Sequence, residues 1–193
     1  MLYKVLRIFA VLIFSVLFRP DVRGRENIPK TGPFILCANH RSWWDVVFLA
    51  CITNRPLVFM GKAELFEIPL FGSLIRMLHA FPVKRNTADR AAIRKALSVL
   101  AEGGALGIFP EGTRSRDGNL LPPEPGVALL AMKSKAPVIP VGINGCYSPF
   151  GKLRLRVGKP LILEESREKK ARSRQLEEAA AEVMKEIGKL LSD

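Results

Sequence analysis

The sequence of 193 residues carries 30 Lys and Arg against 18 Asp and Glu, which gives a formal net charge of +12. Hydrophobic residues make up 48% and charged residues 25%, a balance that excludes an intrinsically disordered chain and is typical of one globular domain. The three cysteines have no CxxC spacing, which argues against a disulfide framework or a zinc site, and the positive charge favours anionic partners such as nucleic acid, anionic lipid or phosphate-bearing substrates.

The first predicted element is an apolar helix near the amino terminus. Residues 8–18 contain a single polar side chain, Ser15, and no small-residue cleavage site follows them. Basic residues flank this stretch at Lys4, Arg7 and Arg19. As a helix it would extend about 16 Å, against a hydrocarbon core of about 30 Å. We therefore expect residues 1–19 to form a membrane-associated helix in the interface, ahead of a domain at 20–193; a buried core helix and a tilted spanning helix are the alternatives.

After this helix, segments of strand length alternate with helical segments. Strands are predicted at 33–38, 57–60, 79–83, 105–109, 137–143 and 153–158, the last of them half-exposed. Helices are predicted at 42–52, 69–78, 87–104 with Thr87 as N-cap, and 127–135. An amphipathic helix ends the chain, and we expect it to pack on the body, with a second membrane-surface helix as the alternative. The alternation predicts an α/β fold with a central, largely parallel β-sheet flanked by helices.

His40, one of only two histidines, lies between the strand at 33–38 and the next helix. The spacing of Ser42 and Asp45 fits a capping box, which would explain both residues without any chemistry. It does not explain His40, whose cationic form is disfavoured at the positive end of a helix. A neutral imidazole whose Nδ1–H bonds to Asp45 is the base-and-orienter half of a catalytic triad. Because no nucleophile is evident beside it, we expect this base to act on a substrate hydroxyl.

Two further predicted strands end in residues that suit a phosphate. Gly112 and Arg114 follow the strand at 105–109, and Arg85 follows the strand at 79–83. Glycine allows the backbone to approach a ligand closely, and the planar guanidinium matches phosphate oxygens. Ligand sites of parallel sheets gather at the carboxyl ends of strands. The sequence therefore predicts a phosphate site near the histidine, although each arginine taken alone could be a solvated surface residue.

Five segments, in order, resemble the sequence blocks of the glycerolipid acyltransferases. They are "NHRSWWD" (39–45), "KAELFEIPLFG" (62–72), "FPVKR" (81–85), "IFPEGTRS" (108–115) and "PVIPVGI" (137–143). The first matches the N-H-x-x-x-x-D motif, and the fourth matches its family block almost letter for letter. The resemblance covers more than half of the chain and is strongest to the bacterial 1-acylglycerol-3-phosphate acyltransferase branch.

This resemblance implies acyl transfer from a thioester to the 2-hydroxyl of lysophosphatidic acid, giving phosphatidic acid. His40 would be the general base and Asp45 would hold its tautomer. The residues implied in substrate binding are Lys62, Arg85, Glu111, Gly112, Thr113 and Arg114. No metal, cofactor or acyl-enzyme is implied. The implied partners are the lipid substrate and a donor, acyl-CoA or acyl carrier protein. Because the substrate is a lipid and basic residues flank the short apolar helix, we expect a monotopic protein on the membrane lipid surface, at the cytoplasmic face of the cell membrane.

Other interpretations stay open from the sequence. A basic nucleic-acid-binding protein would fit the charge, but no known module is recognisable. A metal enzyme could use His40, Asp45 and Glu111, although a site with two histidines and one carboxylate would also need His79. Within the family, glycerol 3-phosphate or another lyso-lipid could be the acceptor.

Overall fold

Seven strands form one sheet in the structure, a computed structural model that describes residues 2–18, 20–84, 89–148, 150–164 and 172–192. The strands are β1 (Asp21–Arg23), β2 (Phe34–Ala38), β3 (Leu57–Lys62), β4 (Phe81–Val83), β5 (Ala105–Ile108), β6 (Val138–Gly145) and β7 (Leu153–Val157). Their order across the sheet is β1-β7-β6-β2-β5-β3-β4. The run from β6 to β4 is parallel, and β7 is antiparallel to β6. The predicted largely parallel sheet is confirmed.

Helices cover both faces of the sheet. They are α1 (Leu2–Phe18), α2 (Asp45–Ile52), α3 (Phe71–Met77), α4 (Arg90–Ala101), α5 (Gly126–Ser134) and α6 (Arg172–Ser192). One face packs against α4, α5 and α6, and the opposite face packs against α1 and α2. The packing predicted for the last helix is confirmed, since α6 buries Ala179, Ala180, Val183, Met184 and Ile187.

The central strand β2 is buried on both faces because its residues are apolar without a break. Side chains alternate across a strand, so Ile35 and Cys37 enter the core under α4, α5 and α6, while Phe34, Leu36 and Ala38 enter the core under α1 and α2. This packing fixes the strand whose carboxyl end leads to the predicted base.

Helix α1 has one buried and one exposed apolar face. Phe14 and Phe18 are buried and meet the ring of Phe48 edge to face, with centroids 4.7 and 5.3 Å away. Arg7 donates a hydrogen bond of 3.1 Å to the carbonyl of Ala50, at the other end of α2. The exposed face consists of Ile8, Phe9, Leu12, Ile13 and Val16. No helix within the described part of the chain is both long and apolar enough to cross a membrane.

Three helices begin later than predicted, and α3 does so by two residues, at Phe71. The helix expected at 42–52 starts at Asp45, because the preceding residues form a turn around that carboxylate. The N-cap of α4 is Asp89, whose carboxylate accepts hydrogen bonds from two amides of the first turn. Thr87, the predicted N-cap, lies outside the described residues, as do Arg19 and Arg85.

The prediction that β7 is half-exposed is wrong at Arg156. Strand β1, which was not predicted from the sequence, pairs with β7 and covers it. Arg156 is buried and donates from Nη2 to the Asp21 carboxylate at 2.7 Å and from Nη1 to the Asp21 carbonyl at 3.0 Å. This bond from Arg156 is the main reason why the pKa of Asp21 is lowered.

Candidate active site

His40 lies in the turn between β2 and α2, and its backbone is fixed from both sides. Its amide donates a hydrogen bond of 2.7 Å to Oε1 of Glu111, and its carbonyl accepts one of 2.8 Å from the Ser115 amide. The imidazole stacks on Phe109, with 3.9 Å between the ring centroids. All three partners follow β5, the neighbour of β2 in the sheet. The parallel pairing of these two strands therefore sets the position of the histidine.

The imidazole bonds to a carboxylate that is completely buried. Nδ1 of His40 lies 2.9 Å from Oδ2 of Asp45. Oδ2 also accepts hydrogen bonds from the amides of Arg41 and Ser42, both at 2.7 Å. Oδ1 accepts one from the Tyr147 hydroxyl at 2.7 Å. Because an ionised carboxylate can only accept, this geometry assigns the proton of a neutral imidazole to Nδ1 and leaves the lone pair on Nε2.

The capping-box interpretation and the catalytic interpretation of Asp45 are compatible. In a capping box, an acidic side chain in the first turn accepts a hydrogen bond from the backbone amide three residues earlier. Asp45 accepts such a bond from the Ser42 amide. The Ser42 hydroxyl accepts from the Trp44 amide at 3.3 Å. One carboxylate thus starts α2 and orients the imidazole at the same time.

Tyr147 is a residue of this site that the sequence analysis missed. It lies in the loop after β6, 102 residues from Asp45, and no local pattern marks it. Burial is the main cause of the raised pKa of its hydroxyl, and the neighbouring Asp45 charge adds to the effect. The phenol therefore stays protonated and donates to Asp45 across the working pH range.

Glu111 is buried, and both of its oxygens accept backbone hydrogen bonds. Oε1 bonds to the His40 amide at 2.7 Å and Oε2 to the Leu121 amide at 3.0 Å. Burial raises the pKa of this carboxyl, and the two amide bonds oppose that change. The contacts give Glu111 a bracing role between two loops, which the sequence analysis did not foresee. Its predicted role in positioning the acceptor stays a prediction.

Arg114 is exposed and lies on the indole of Trp43, with its guanidinium carbon 4.2 Å from the ring centroid. The stack joins the loop after β5 to the loop that carries His40. Thr113 is also exposed, and Gly112 has a φ of 65°, the left-handed region that favours glycine. Three of the predicted substrate residues therefore lie together in the loop after β5. The next residue of this loop, Ser115, donates its amide to the His40 carbonyl.

The other two predicted basic residues are less closely tied to this site. Lys62 ends β3 at the same edge of the sheet, where its ammonium lies 3.3 Å from the Glu64 carboxylate. Its side chain is exposed, and no contact with His40 is found among the described residues. Arg85 lies outside the described residues, so its role stays a prediction.

Asn39 is a second residue that the sequence analysis missed. Its buried side chain donates to the Ile143 carbonyl at 3.0 Å and accepts from the Ile143 amide at 2.8 Å. The side-chain amide thus replaces a backbone partner where β2 leaves the sheet. A polar residue directly after the buried strand was the available signal.

The arrangement can take a proton from a hydroxyl group. The His40 side chain is 12% exposed, and its Nε2 has no hydrogen-bonding partner among the described residues. Nδ1 is held by Asp45, so the imidazole is oriented and open on one side only. Within the described ranges, no group of three or more His, Cys, Asp or Glu side chains could hold a metal ion.

A family model described as Acyltransferase matches residues 19–144. The chain belongs to this acyltransferase family. The match includes His40, Asp45 and the loop after β5, and the predicted family is confirmed.

Curated relatives of this acyltransferase are named 1-acyl-sn-glycerol-3-phosphate acyltransferase. The Bacillus subtilis protein is 33% identical over 156 residues, which are 78% of this chain and 77% of the relative. The Streptococcus pneumoniae protein is 30% identical over 98% of this chain and 73% of its own length. The fold is similar to the crystal structure of the 1-acyl-sn-glycerophosphate (LPA) acyltransferase PlsC from Thermotoga maritima. That comparison has a TM-score of 0.72 and 29% identity, and covers 96% of this chain and 79% of the other.

Proposed function

We propose that this acyltransferase moves an acyl chain from a thioester to the 2-hydroxyl of 1-acylglycerol 3-phosphate and so makes phosphatidic acid. The observation that carries the proposal is the bond of 2.9 Å from His40 Nδ1 to a buried Asp45, which leaves Nε2 available at the carboxyl edge of the sheet. The names of the bacterial relatives support this choice of acceptor.

The proposed reaction needs one base and no covalent enzyme intermediate. Nε2 of His40 would take the proton of the 2-hydroxyl as its oxygen forms a bond to the thioester carbonyl carbon. The carbon–sulfur bond would then break, and the imidazolium would return the proton to the leaving thiolate. Asp45 would keep the proton on Nδ1 and stabilise the imidazolium between these steps.

The residues around the pair would hold it still during both proton transfers. Backbone bonds from Glu111 and Ser115 fix the main chain of His40, and Phe109 fixes the plane of its ring. Tyr147 would keep Asp45 aimed at Nδ1 by holding its other oxygen. A rigid base loses little orientational freedom on reaching the transition state, which favours the reaction.

The acceptor phosphate would bind beside this base in the loop after β5. Arg114 offers a planar pair of donors whose orientation the Trp43 stack restricts. Gly112 and Thr113 would bring backbone and hydroxyl donors to the same group. Lys62 and Arg85 would add positive charge from neighbouring strand ends, and Glu111 would contribute through the loop that it braces.

Neither a cofactor nor a metal ion enters the proposed reaction. Acyl-CoA and acyl carrier protein are both acidic donors, and the net charge of +12 suits either. Full activity in the presence of EDTA is expected, and a loss that added metal reverses would contradict a metal-free mechanism.

The protein would act as a monotopic protein at the cytoplasmic face of the cell membrane. The exposed apolar face of α1 supports this placement, since a lipid acceptor has to reach His40 from the bilayer surface. Basic residues near α1 would add attraction to anionic lipid, about 1 kcal/mol for each residue close to the surface.

The test is a matrix of the purified protein with two acceptors and two donors. Lysophosphatidic acid and glycerol 3-phosphate are each combined with acyl-CoA and with acyl carrier protein, and the lipid product is identified by mass spectrometry. We expect phosphatidic acid from lysophosphatidic acid. Lysophosphatidic acid formed from glycerol 3-phosphate, with no phosphatidic acid, would contradict the proposal.

A further inference from the structure

The segment from Ile68 to Met77 presents an apolar surface that no described element covers. Its exposed large apolar side chains, here called the α3 patch, are Ile68, Leu70, Phe71, Leu74 and Met77. Leu70 is 87% exposed, the highest value among the large hydrophobic residues described as exposed. Residues 68–75 contain no charged side chain, in a chain of which 25% is charged. Exposed large apolar side chains grouped in this way are typical of an interaction site.

The outward direction of the α3 patch is set by tight packing on its inner side. A Cβ atom at Gly72 would come within 2.3 Å of the Phe66 carbonyl oxygen, so α3 lies directly on the turn at Ala63–Phe66. Arg76 closes the same contact, with Nη2 3.1 Å from that oxygen and its guanidinium over the Phe66 ring. Leu70 adopts a φ of 62°, which is strained for a branched side chain, and its side chain is exposed. The patch is therefore a fixed surface.

The α3 patch lies at the edge of the sheet where the base is. It follows the carboxyl end of β3, which runs parallel to β5, and β5 runs parallel to β2. On the other side of β2, after β6, the amide of Phe150 bonds to the Leu17 carbonyl of α1. In sheet order the patch and the end of α1 thus lie on opposite sides of the strand that leads to His40.

We infer that the α3 patch is a second membrane contact, which enters the hydrocarbon of the bilayer on the β3 side of the active site. The inference rests on the proposed lipid acceptor, because such an acceptor has to be delivered to His40 from a bilayer. Contacts on both sides of the catalytic strand would turn its carboxyl edge toward the lipid surface.

A contact with hydrocarbon has a signature that an electrostatic contact lacks. Apolar transfer is insensitive to screening, so the contribution of the patch persists at high salt and on uncharged lipid. The test uses the full chain and a Leu70→Asp/Leu74→Asp variant, compared by flotation with phosphatidylcholine vesicles in 0.5 M salt. The matched control is Ile162→Asp. Ile162 is also exposed, at 63%, but it follows β7, which lies on the other side of β2 from the patch in the order of the strands.

We expect the double variant to bind these vesicles about tenfold or more weakly, the loss that follows when apolar side chains no longer enter hydrocarbon. Its activity on vesicle-borne lysophosphatidic acid falls in step, its activity on monomeric short-chain acceptor stays within about twofold, and Ile162→Asp behaves as the wild type in every assay. Unchanged vesicle binding by the double variant would overturn the inference. An equal loss of activity on monomeric acceptor would also overturn it and would assign the patch to the active site. A wild type that sediments as a dimer, with the double variant a monomer, would overturn it as well and would assign the patch to a contact with a second copy of the chain. A wild type that binds vesicles through the patch but acylates neither form of the acceptor would refute the proposed function alone.

Discussion

At the scale of single residues, Asp45 has two roles that usually belong to different side chains. It accepts two backbone amides at the start of α2, and it accepts from His40 and Tyr147 with the rest of its lone pairs. A buried carboxylate that lacks such donors is costly, and each of these bonds lowers that cost. The local network thus stabilises the fold and the tautomer together.

Tyr147→Phe tests whether the phenol positions the Asp45–His40 pair. We expect kcat to fall about tenfold, the effect of one hydrogen bond to a charged group. With that donor gone, Asp45 is held less firmly toward Nδ1, and the imidazole is less well oriented. The measurement is kcat and KM beside the melting temperature; an unchanged kcat with a lowered melting temperature would reduce Tyr147 to a packing role.

Arg114→Ala tests the predicted acceptor site. We expect the KM for lysophosphatidic acid to rise by about 10- to 100-fold, the loss of a charge-assisted hydrogen bond, and donor KM to change little. Lysine should restore only part of the loss because it lacks the planar fork. The control is Arg116→Ala, an exposed arginine of the same loop. A raised KM for the donor in place of the acceptor would reverse the assignment.

At the scale of elements, strongly apolar segments were predictable and short or late-formed ones were not. Strands β2 and β5 and helix α5 lie within a residue of their predicted bounds, because a buried apolar run bounded by polar residues has few alternatives. Strand β1 has three residues and no apolar pattern, so only its pairing with β7 makes it a strand. Helix α2 begins later than predicted because the amides of Arg41 and Ser42 donate to the Asp45 carboxylate and form a turn before the helix.

Asp21→Asn tests the connection between β1 and β7. Asp21 has a lowered pKa, so its ion pair with Arg156 adds stability above the ordinary value of 3.8, and this stability is lost as the pH falls through the lowered value. We expect the variant to melt at a lower temperature than the wild type at pH 7, and the difference to shrink in acid below pH 3.8. The control is Arg23→Gln, since that guanidinium is exposed and 3.5 Å from the carboxylate. Equal melting curves at pH 7 would contradict the role of the pair.

At the scale of the whole molecule, the carboxyl edge of the parallel sheet brings together what the sequence keeps apart. The positions of His40 and Arg114 were predictable, because each follows a buried strand and parallel strands end at one edge. The contacts of Tyr147 and Asn39 were not, because each joins residues more than 100 positions apart. Such partners depend on the packed order of the strands, which no local pattern contains.

The exposed face of α1 can be tested without unfolding the domain. Deleting 1–19 would also remove Phe14 and Phe18 from the core, so a loss of activity would be ambiguous. Leu12→Asp/Val16→Asp changes only exposed positions. We expect this variant to sediment poorly with anionic liposomes and to lose activity on membrane-borne acceptor, with activity on short-chain acceptor retained. Sedimentation equal to that of the wild type would place the anchor elsewhere.

The central claim is that His40 is the base of the acyl transfer, and His40→Ala tests it most directly. The fold should survive, because Glu111 and Ser115 hold backbone atoms that alanine retains, and Asp45 keeps three other donors. The measurement is the turnover of lysophosphatidic acid by the wild type and by the variant, once their melting temperatures are shown to be equal. We predict a loss of at least ~10²–10⁴-fold, the usual contribution of general-base catalysis. Turnover near the wild-type rate by a folded His40→Ala protein would contradict the mechanism.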